Sequence, residues 1–285
     1  MNFRSTVAVT LLVPIVAFAA AARSRPLHPA RGAHGPNGTP RRLAYTVAPV
    51  TRPGQIQGRV TWRGALPSAT SLPAGVVGGF GCERAEFFSR IDVDAASHGV
   101  RHAVVYLADI ARGAAPSGEG LTIDNVHCNF VPHVAATAVG APVRFRNSDP
   151  GVLHNVRVGL GLLGDENAFN LGLPSGMSIA RSVDREGIHR VICDIHPPMA
   201  GYLHTFDHPY FAVTSADGRF TIANVPPGSY GLHAWHEGWQ SQGVALGRPA
   251  WSAPVETETR VTIRASGRAI VNFAVEPRGT ITVGG

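Results

Sequence analysis

The stretch RVICDIHPPMAGY, residues 190–202, joins two patterns in one short segment. Its first part is apolar and β-branched, which is typical of a buried strand. Its second part contains two prolines, which stop a regular element, and carries three soft donors at intervals of three residues: Cys193, His196 and Met199. The segment is therefore a predicted strand that ends in a tight loop. The rest of the chain decides whether that loop holds a metal or is an ordinary turn.

The chain around this segment consists of short candidate strands. Apolar and β-branched runs of about four to eight residues, separated by Gly, Pro, Asn and Asp, are typical of β-sandwiches and barrels. Beyond the N-terminal segment, no stretch keeps a helical period. The candidate strands lie in residues 54–64, 101–110, 133–149, 187–195, 209–237 and 259–275. We predict an all-β fold.

The N-terminal segment has the pattern of a secretory signal peptide. Arg4 supplies a positive start, residues 7–20 are apolar and small residues follow, so cleavage is expected after Ala19 or Ala22. A membrane anchor is the alternative, but the apolar run is short and Pro14 interrupts it. We therefore expect residues 1–22 to be removed. The mature chain should have no membrane span and be periplasmic or secreted.

Residues 23–53 form a predicted disordered linker that is rich in Arg, Pro and Gly. They contain six arginines and no acid, a composition that stays solvated. The formal net charge of +6 arises here and at Arg4. Of the 25 basic residues, seven are Arg4 and the six arginines of the linker, so 25 − 7 = 18 lie after residue 53. All 19 acidic residues also lie there. The near-neutral remainder excludes the broad basic face of a nucleic-acid-binding protein.

The chain has an odd number of cysteines: Cys82, Cys128 and Cys193. In an exported protein, an odd number raises the question of which thiol stays unpaired. If Cys193 binds a metal, Cys82 and Cys128 can form a disulfide. Sequence does not give the distance between them, so this pairing stays open.

A second imidazole for a metal site lies upstream of the loop. Type 1 copper sites use two imidazoles, one thiolate and a weak axial thioether, and residues 193–199 supply three of these. In NSDPGVLHNV, residues 147–156, His154 follows a turn and precedes a strand. Zinc is the competing metal because Cys and His also suit it. The thioether of Met199 favours copper.

At these residues the chain resembles the cupredoxins, the plastocyanin- and amicyanin-like type 1 blue copper proteins. The family pattern is a strand ending in Asn and Asp, then a His, and later a Cys-x-x-His loop that closes on Met. PVRFRNSDPGVLHNV (142–156) and VICDIHPPMAGY (191–202) match it, and the loop has the short amicyanin-like spacing. The resemblance covers residues 117–205 and implies a Greek-key β-sandwich with one copper site. Its implied ligands are His154, Cys193, His196 and Met199.

The same resemblance bears on two further residues. Asn155 matches the family residue whose side chain ties the two ligand-bearing loops together before the metal arrives. Asp194 departs from the family, which often has a small or hydroxyl residue after the cysteine. If ionised near the thiolate, this carboxylate should stabilise Cu(II) and lower the reduction potential. If it points into solvent, it should do little.

The C-terminal part resembles a second family, the carboxypeptidase regulatory-like, transthyretin-like β-sandwiches. The motifs are Asp-Gly-Arg-Phe at 217–220 and Pro-Pro-Gly-Ser-Tyr at 226–230, with IQGRVTWRGALP (56–67) as the usual first strand. This implies a split sandwich of residues 54–116 and 206–278, with the cupredoxin-like domain (117–205) inserted between them. Two consecutive domains are the alternative.

Neither region carries a recognisable catalytic motif, so we do not expect an enzyme. The sequence contains no Gly-x-Ser-x-Gly motif, and His236-Glu237 lacks the second ligand motif of a zinc protease. Other histidines cluster around strand ends. They could form a second metal site, although surface or hydrogen-bonded core roles are favoured for them: His127, His133, His204, His208, His233 and His236.

These features predict an exported mononuclear type 1 copper protein that exchanges one electron with a periplasmic redox protein. By resemblance, the electron passes at the solvent edge of His196, beside an apolar docking patch at Pro197 and Pro198. One alternative is a periplasmic copper-handling protein without electron transfer. The other is a cell-surface interaction module that has lost its metal.

Overall fold

The computed structural model describes residues 45–68, 72–74, 76–118, 120–162 and 164–284. The predicted signal peptide and most of the predicted linker lie outside these residues. Every regular element within them is a strand, so the predicted all-β fold is confirmed. In this part of the chain, no helix is long and apolar enough to cross a membrane.

The first four strands precede the candidate copper region: β1 (Thr46–Val47), β2 (Gly54–Trp62), β3 (Val104–Ala108) and β4 (Arg112–Gly113). The sequence assigns residues 45–53 to the linker, but the structure differs there. β1 pairs in parallel with β4, and the Tyr45 hydroxyl donates to the Ala114 carbonyl at 2.6 Å. These backbone and side-chain bonds end the linker before Tyr45.

The next nine strands form two facing sheets, which we call the inner sandwich: β5 (Leu121–Val126), β6 (Asn129–Val131), β7 (Val134–Ala138), β8 (Val143–Asn147), β9 (His154–Leu160), β10 (Glu166–Leu173), β11 (Ser178–Arg181), β12 (Gly187–Ile192) and β13 (Ala200–Phe206). The strand order is β10-β9-β12-β13-β7 in one sheet and β11-β8-β5-β6 in the other. In β8, inward Val143 and Phe145 alternate with outward arginines, which is the period of a half-buried strand.

The remaining strands follow the inner sandwich: β14 (Phe211–Val213), β15 (Arg219–Val225), β16 (Gly228–His236), β17 (Ser241–Ala245), β18 (Arg248–Trp251), β19 (Val255–Ile263), β20 (Arg268–Ile270), β21 (Asn272–Glu276) and β22 (Thr280–Gly284). Most of them join β2 and β3 in two sheets, β14-β3-β16-β19 and β15-β2-β21-β22, with β20 also beside β2. We call these two sheets the outer sandwich. β17 and β18 form a separate hairpin.

Each sandwich has its own apolar core. The inner core takes side chains from both of its sheets, among them Ile123, Phe145 and Val158. The outer core likewise joins Leu107 and Leu232 of one sheet to Phe273 of the other. Burial of one such side chain contributes about 1.5–3 kcal/mol. These pairings are the ones a split sandwich requires, since strands on both sides of residues 117–205 share the outer sheets.

A buried contact region joins the two sandwiches. Its apolar part consists of Val104, Val134, Phe206 and Trp235. Its polar part is a network in which His133 and Arg90 both contact the carboxylate of Glu237. Burial raises the pKa of Glu237, but the charges of His133 and Arg90 outweigh it and lower that pKa to about 2. Removing one partner of such a buried pair typically costs about 3–5 kcal/mol, so this network fixes the two sandwiches together.

His204 makes the stability of the fold sensitive to acid. It is 1% exposed and packs edge-on against Trp235 with ring centroids 4.4 Å apart. Burial, with a smaller contribution from His189, lowers the pKa of His204 to about 3. The unfolded chain binds a proton near pH 6.5 and the folded chain does not. The free energy of unfolding therefore falls as the pH drops from about 6.5 towards 3.

We predict that His204→Leu reduces this acid sensitivity. Between pH 7 and pH 4.5, the variant should lose about 2 kcal/mol less free energy of unfolding than the parent chain. Urea denaturation at both pH values measures the difference. His127→Asn, at an exposed position, is the control and should keep the parental pH dependence. Equal losses in His204→Leu and the parent would contradict the prediction.

Candidate metal centre

The candidate ligands meet at one edge of the five-stranded sheet of the inner sandwich. This edge is formed by the ends of its central strands, not by an edge strand. His154 is the first residue of β9, and Cys193 directly follows β12. These strands are antiparallel neighbours, with Ile192 opposite Arg157, so the start of one lies beside the end of the other. His196 and Met199 lie in the loop between β12 and β13. The sheet thus brings together residues about forty positions apart.

Three donor atoms converge at this edge. The Nδ1 atoms of His154 and His196 are 2.9 Å apart. The sulfur of Cys193 lies 3.4 Å from His196 Nδ1 and 3.9 Å from His154 Nδ1. All three residues are fully buried, so the donor atoms face one another away from solvent.

Met199 closes the ligand loop on itself. Its backbone N–H donates to the His196 carbonyl at 2.9 Å, and its carbonyl accepts from the Cys193 N–H at 3.2 Å. Its side chain is 1% exposed and belongs to the same apolar cluster as Cys193. The loop is therefore a small hydrogen-bonded unit whose methionine side chain is buried in the same core cluster as the thiol.

The outer nitrogen of each imidazole has an acceptor that fixes its tautomer. His154 Nε2 donates to the Asp149 carboxylate at 2.9 Å, and His196 Nε2 donates to the Phe80 carbonyl at 3.0 Å. Burial lowers the pKa of His154, and the nearby His196 lowers it further. The hydrogen bond to Asp149 raises that pKa but does not offset these two effects. Each Nδ1 then presents a lone pair towards the other ring. Two such lone pairs 2.9 Å apart call for a cation, and the donor set therefore fits a metal.

Cys193 is the free cysteine of the chain. Burial raises the pKa of its thiol, although backbone groups of Asn155 and His196 oppose this. Only the thiolate binds a metal, so metal binding here releases a proton.

Asn155 connects the two ligand-bearing segments. Its side-chain oxygen accepts from the backbone N–H groups of Asp194 and Ile195 at 2.6 and 3.3 Å. Its own backbone N–H points at the Cys193 sulfur at 3.5 Å. One residue thus holds the loop of residues 193–199 against the start of β9.

Asp194 is ionised and its charge is compensated. Partial burial raises its pKa, but the hydrogen bonds and charge of Arg157, with help from Asn155 and Asn170, hold it below the usual value. Arg157 binds both carboxylate oxygens, and Arg248 donates to one of them at 3.1 Å. The carboxylate is 38% exposed. Asp194 is therefore charged, partly solvated and paired with two guanidinium groups, and its effect on a bound metal stays a prediction.

Three contacts to this site were missed in the sequence analysis. Arg248 begins β18, and its guanidinium donates to the carbonyls of Cys193 and Pro197 at 2.9 and 3.2 Å. Asp149 and Phe80 supply the acceptors for the two imidazoles. Asp149 could have been suspected from the sequence, because it lies in the Asn-Ser-Asp turn five residues before His154. The other two lie far away in sequence and belong to no motif, so only the fold reveals them.

The expected solvent edge at His196 is wrong. The side chain is 0% exposed, and Gly79 and the Phe80 carbonyl lie against its outer edge. The proline patch expected beside it is also largely absent, since Pro198 is buried and Pro197 half-buried. The exposed apolar side chains in this area are those of Phe80, Leu153 and Ile195.

Cys82 and Cys128 form a disulfide in the structure, with Cα atoms 6.0 Å apart. Their sulfurs and a ring nitrogen of His154 lie within 4.8 Å of one another. Because the two sulfurs are bonded to each other, this group offers no thiolate. Of the two clusters of three metal-binding side chains found in the described residues, only His154, Cys193 and His196 keep all their donors.

The other histidines named in the sequence analysis do not form a comparable cluster among the described residues. His133 contacts Glu237, and His233 stacks on Tyr106 with ring centroids 5.0 Å apart. His204, His208 and His236 are buried, and His127 is exposed. Their contacts are those of core and surface residues.

Comparison with protein families gives one partial match. Residues 200–270 match the family model fn3_3, described as polysaccharide lyase family 4, domain II. The match begins in β13 and covers much of the outer sandwich. The more specific carboxypeptidase regulatory-like assignment stays a prediction. No curated protein matches the chain.

Several solved copper proteins resemble part of the chain. A copper-containing nitrite reductase (NirK) from Thermus scotoductus SA-01 is 26% identical, covering 32% of this chain and 23% of that one, with a TM-score of 0.28. A purple cupredoxin from Nitrosopumilus maritimus is 22% identical, covering 30% of this chain and 98% of that one, with a TM-score of 0.27. Amicyanin from Paracoccus versutus is 14% identical, covering 32% and 84%, also with a TM-score of 0.27. At TM-scores below 0.5, these likenesses carry no weight for function.

We predict that Asn155→Ala weakens metal binding by about 10–100-fold, as loss of a residue that orients ligands typically does. The variant loses the bonds that hold the ligand loop against β9. Competition with a chelator of known affinity measures the effect. Asn170→Ala is the matched control, because Asn170 contacts the side chains of Asn155 and Asp194 from outside. The loss of metal affinity in Asn170→Ala should be much smaller than in Asn155→Ala. Equal losses of affinity in both variants would contradict the role of Asn155.

Proposed function

We propose that this chain is an exported mononuclear type 1 copper protein that carries one electron. The observation that carries the proposal is the convergence of His154 Nδ1, His196 Nδ1 and the Cys193 sulfur away from solvent. Met199 lies on the same loop and is buried with Cys193. Two imidazoles, a thiol and a thioether are the donor set of such sites.

Copper is favoured over zinc by the chemistry of the donors. Structural zinc sites use four Cys, His or carboxylate ligands, whereas the fourth side chain here is a thioether, which suits soft copper. When bound there, copper would supply a reversible one-electron couple. No carboxylate replaces Met199 in the cluster formed by the described residues.

The side chains around the donors keep the site in one arrangement. Asp149 and the Phe80 carbonyl hold the outer edges of the imidazoles, and Asn155 holds the loop backbone. Pro197 and Pro198 restrict that loop further. Donors held by a sheet edge and by hydrogen bonds need to move little when the charge of the site changes, which favours fast electron exchange.

The charged groups beside the site set its electrostatics. Asp194 alone would favour the more positive oxidation state of a metal, but Arg157 and Arg248 offset its charge. Arg248 also donates to the carbonyl of Cys193. We infer that Asp194 lowers the reduction potential of a bound copper ion less than an unpaired carboxylate would.

The partner we propose is a periplasmic redox protein that approaches the face bearing Phe80, Leu153 and Ile195. Phe80 is 88% exposed, and its carbonyl accepts the bond from His196. An exposed apolar group connected to a buried ligand offers both a contact surface and a short path for the electron. This face replaces the one expected at Pro197 and Pro198.

Export and domain division are part of the proposal. The N-terminal pattern supports a cleaved signal peptide, and the Cys82–Cys128 disulfide supports an oxidising compartment. The sheet pairings support an inserted copper domain within a split sandwich. We propose a carrier rather than an enzyme, since His154, Cys193 and His196 form the one cluster in the described residues that keeps all its donors.

Copper handling is the second candidate function, because complete burial of both imidazoles also suits a protein that holds copper tightly. The two functions differ in one property. A carrier exchanges electrons reversibly with the metal in place, whereas a handling protein transfers the metal itself.

The visible absorption spectrum tests the proposal. The mature chain loaded with one Cu(II) should show an intense band towards the red end, because a thiolate bonded to Cu(II) absorbs strongly there. Cys193→Ala should lose the band, and His127→Asn, at an exposed position outside the site, should keep it. Absence of the band in the parent chain, or its survival in Cys193→Ala, would overturn the proposal.

A further inference from the structure

An irregular segment of the chain, residues 76–88, lies against the inner sandwich although the strands on either side of it belong to the outer one. It connects β2 to β3 through residues that form no regular element. Cys82 belongs to the inner core, and Ala85 and Phe87 pack against it. The outer sandwich thus sends a loop across to the sheet edge that carries the candidate ligands.

This loop contacts His196 closely. The Phe80 carbonyl accepts the Nε2–H bond at 3.0 Å. A Cβ atom on Gly79 would lie 2.8 Å from the Ile195 carbonyl oxygen and 3.1 Å from His196 Cδ2. Gly79 also has φ +85°, a conformation that glycine adopts without strain. Position 79 therefore needs glycine for the loop to lie directly on the imidazole.

The loop is tied down at two points. The Cys82–Cys128 disulfide fixes it to the turn after β5. Further along, Asn129 accepts from the Phe88 N–H at 2.8 Å and donates to the Glu86 carbonyl at 2.9 Å. Of these two ties, the disulfide is the one beside the segment that covers His196.

The disulfide also reaches the second imidazole. The Cys128 N–H donates to Asp149 at 2.8 Å, and the same carboxylate oxygen accepts from His154 Nε2. The disulfide therefore lies next to both groups that bond the outer ring nitrogens. The Phe80 carbonyl, two residues before Cys82, bonds His196, and Asp149, which accepts from the Cys128 N–H, bonds His154.

We propose that residues 76–88 form a cap, tethered by the Cys82–Cys128 disulfide, that closes the metal site to water, small ligands and exchange of the metal. The proposal rests on the proposed function, because the histidine it covers is a ligand of that site. With the tether intact, electrons pass while the metal and its ligands stay in place. With the tether absent, the cap opens and the outer edge of His196 becomes accessible.

The test measures access to His196 in the metal-free mature chain. Diethyl pyrocarbonate modifies accessible imidazole nitrogens, and mass spectrometry of peptides gives the rate at each histidine. In Cys82→Ser/Cys128→Ser, His196 should react about tenfold faster than in the parent chain, as expected for a locally opened segment. His189 is the internal reference, because it is buried in the same sheet and bonded to Thr205. Its rate should not change.

A second variant opens the cap while keeping the disulfide. Gly79→Ala should also raise the rate at His196, because the added Cβ cannot share space with Ile195 and His196. Gly243→Ala is the matched control, since Gly243 has the same φ of +85° and nothing within 4 Å of an added Cβ. It should leave His196 unchanged. If the double serine variant does not fold, the parent chain treated with a phosphine reductant replaces it.

Two results would overturn the cap. One is an unchanged rate at His196 in both opened variants. The other is an equal rise at His189, which would make the disulfide a general stabiliser of the fold. Copper uptake separates this proposal from the proposed function. Faster uptake of Cu(II) by the opened variants supports the cap. A parent chain that lacks the copper band but shows the expected reactivities refutes the electron carrier and leaves the cap intact.

Discussion

The antiparallel pairing of β9 with β12 is the constraint on which the candidate metal centre depends. It places the start of one strand beside the end of the other, so that His154 faces Cys193 and His196 across a gap of about forty residues in sequence. A slip of one residue would turn every side chain of the strand to the opposite face of the sheet. The buried inner core fixes that register, and the register in turn fixes the donors.

Two segments that connect strands of the outer sandwich contact this candidate centre, one from before the inner sandwich in sequence and one from after it. Arg248, in the β17–β18 hairpin, bonds to the carbonyl of Cys193 and to Asp194. Residues 76–88 bring the Phe80 carbonyl to His196. The buried Arg90–Glu237–His133 network holds the two sandwiches together, and so keeps both contacts in position. The segments attached to the outer sandwich therefore complete the hydrogen bonds around the candidate ligands.

The sequence predicted what local pattern and spacing encode. The β-branched runs indicated the all-β fold, and the order of Cys193, His196 and Met199 indicated the donor loop. It did not predict the burial of His196, the ion pairs of Asp194 or the bond from Arg248. The burial of His196 and the bonds from Arg248 depend on segments more than fifty residues away, and the ion pair with Arg157 depends on the pairing of two strands. Non-local packing of this kind leaves no periodicity or motif that a reading along the chain could find.

We infer that this closed set of donors carries one electron reversibly when copper is bound. Voltammetry of the mature chain, loaded with one copper ion per molecule, tests it most directly. The structure predicts a single reversible one-electron wave that persists through repeated cycles, because the donors are held by the sheet edge and by hydrogen bonds. Tight binding of one copper ion without a reversible wave would contradict the claim.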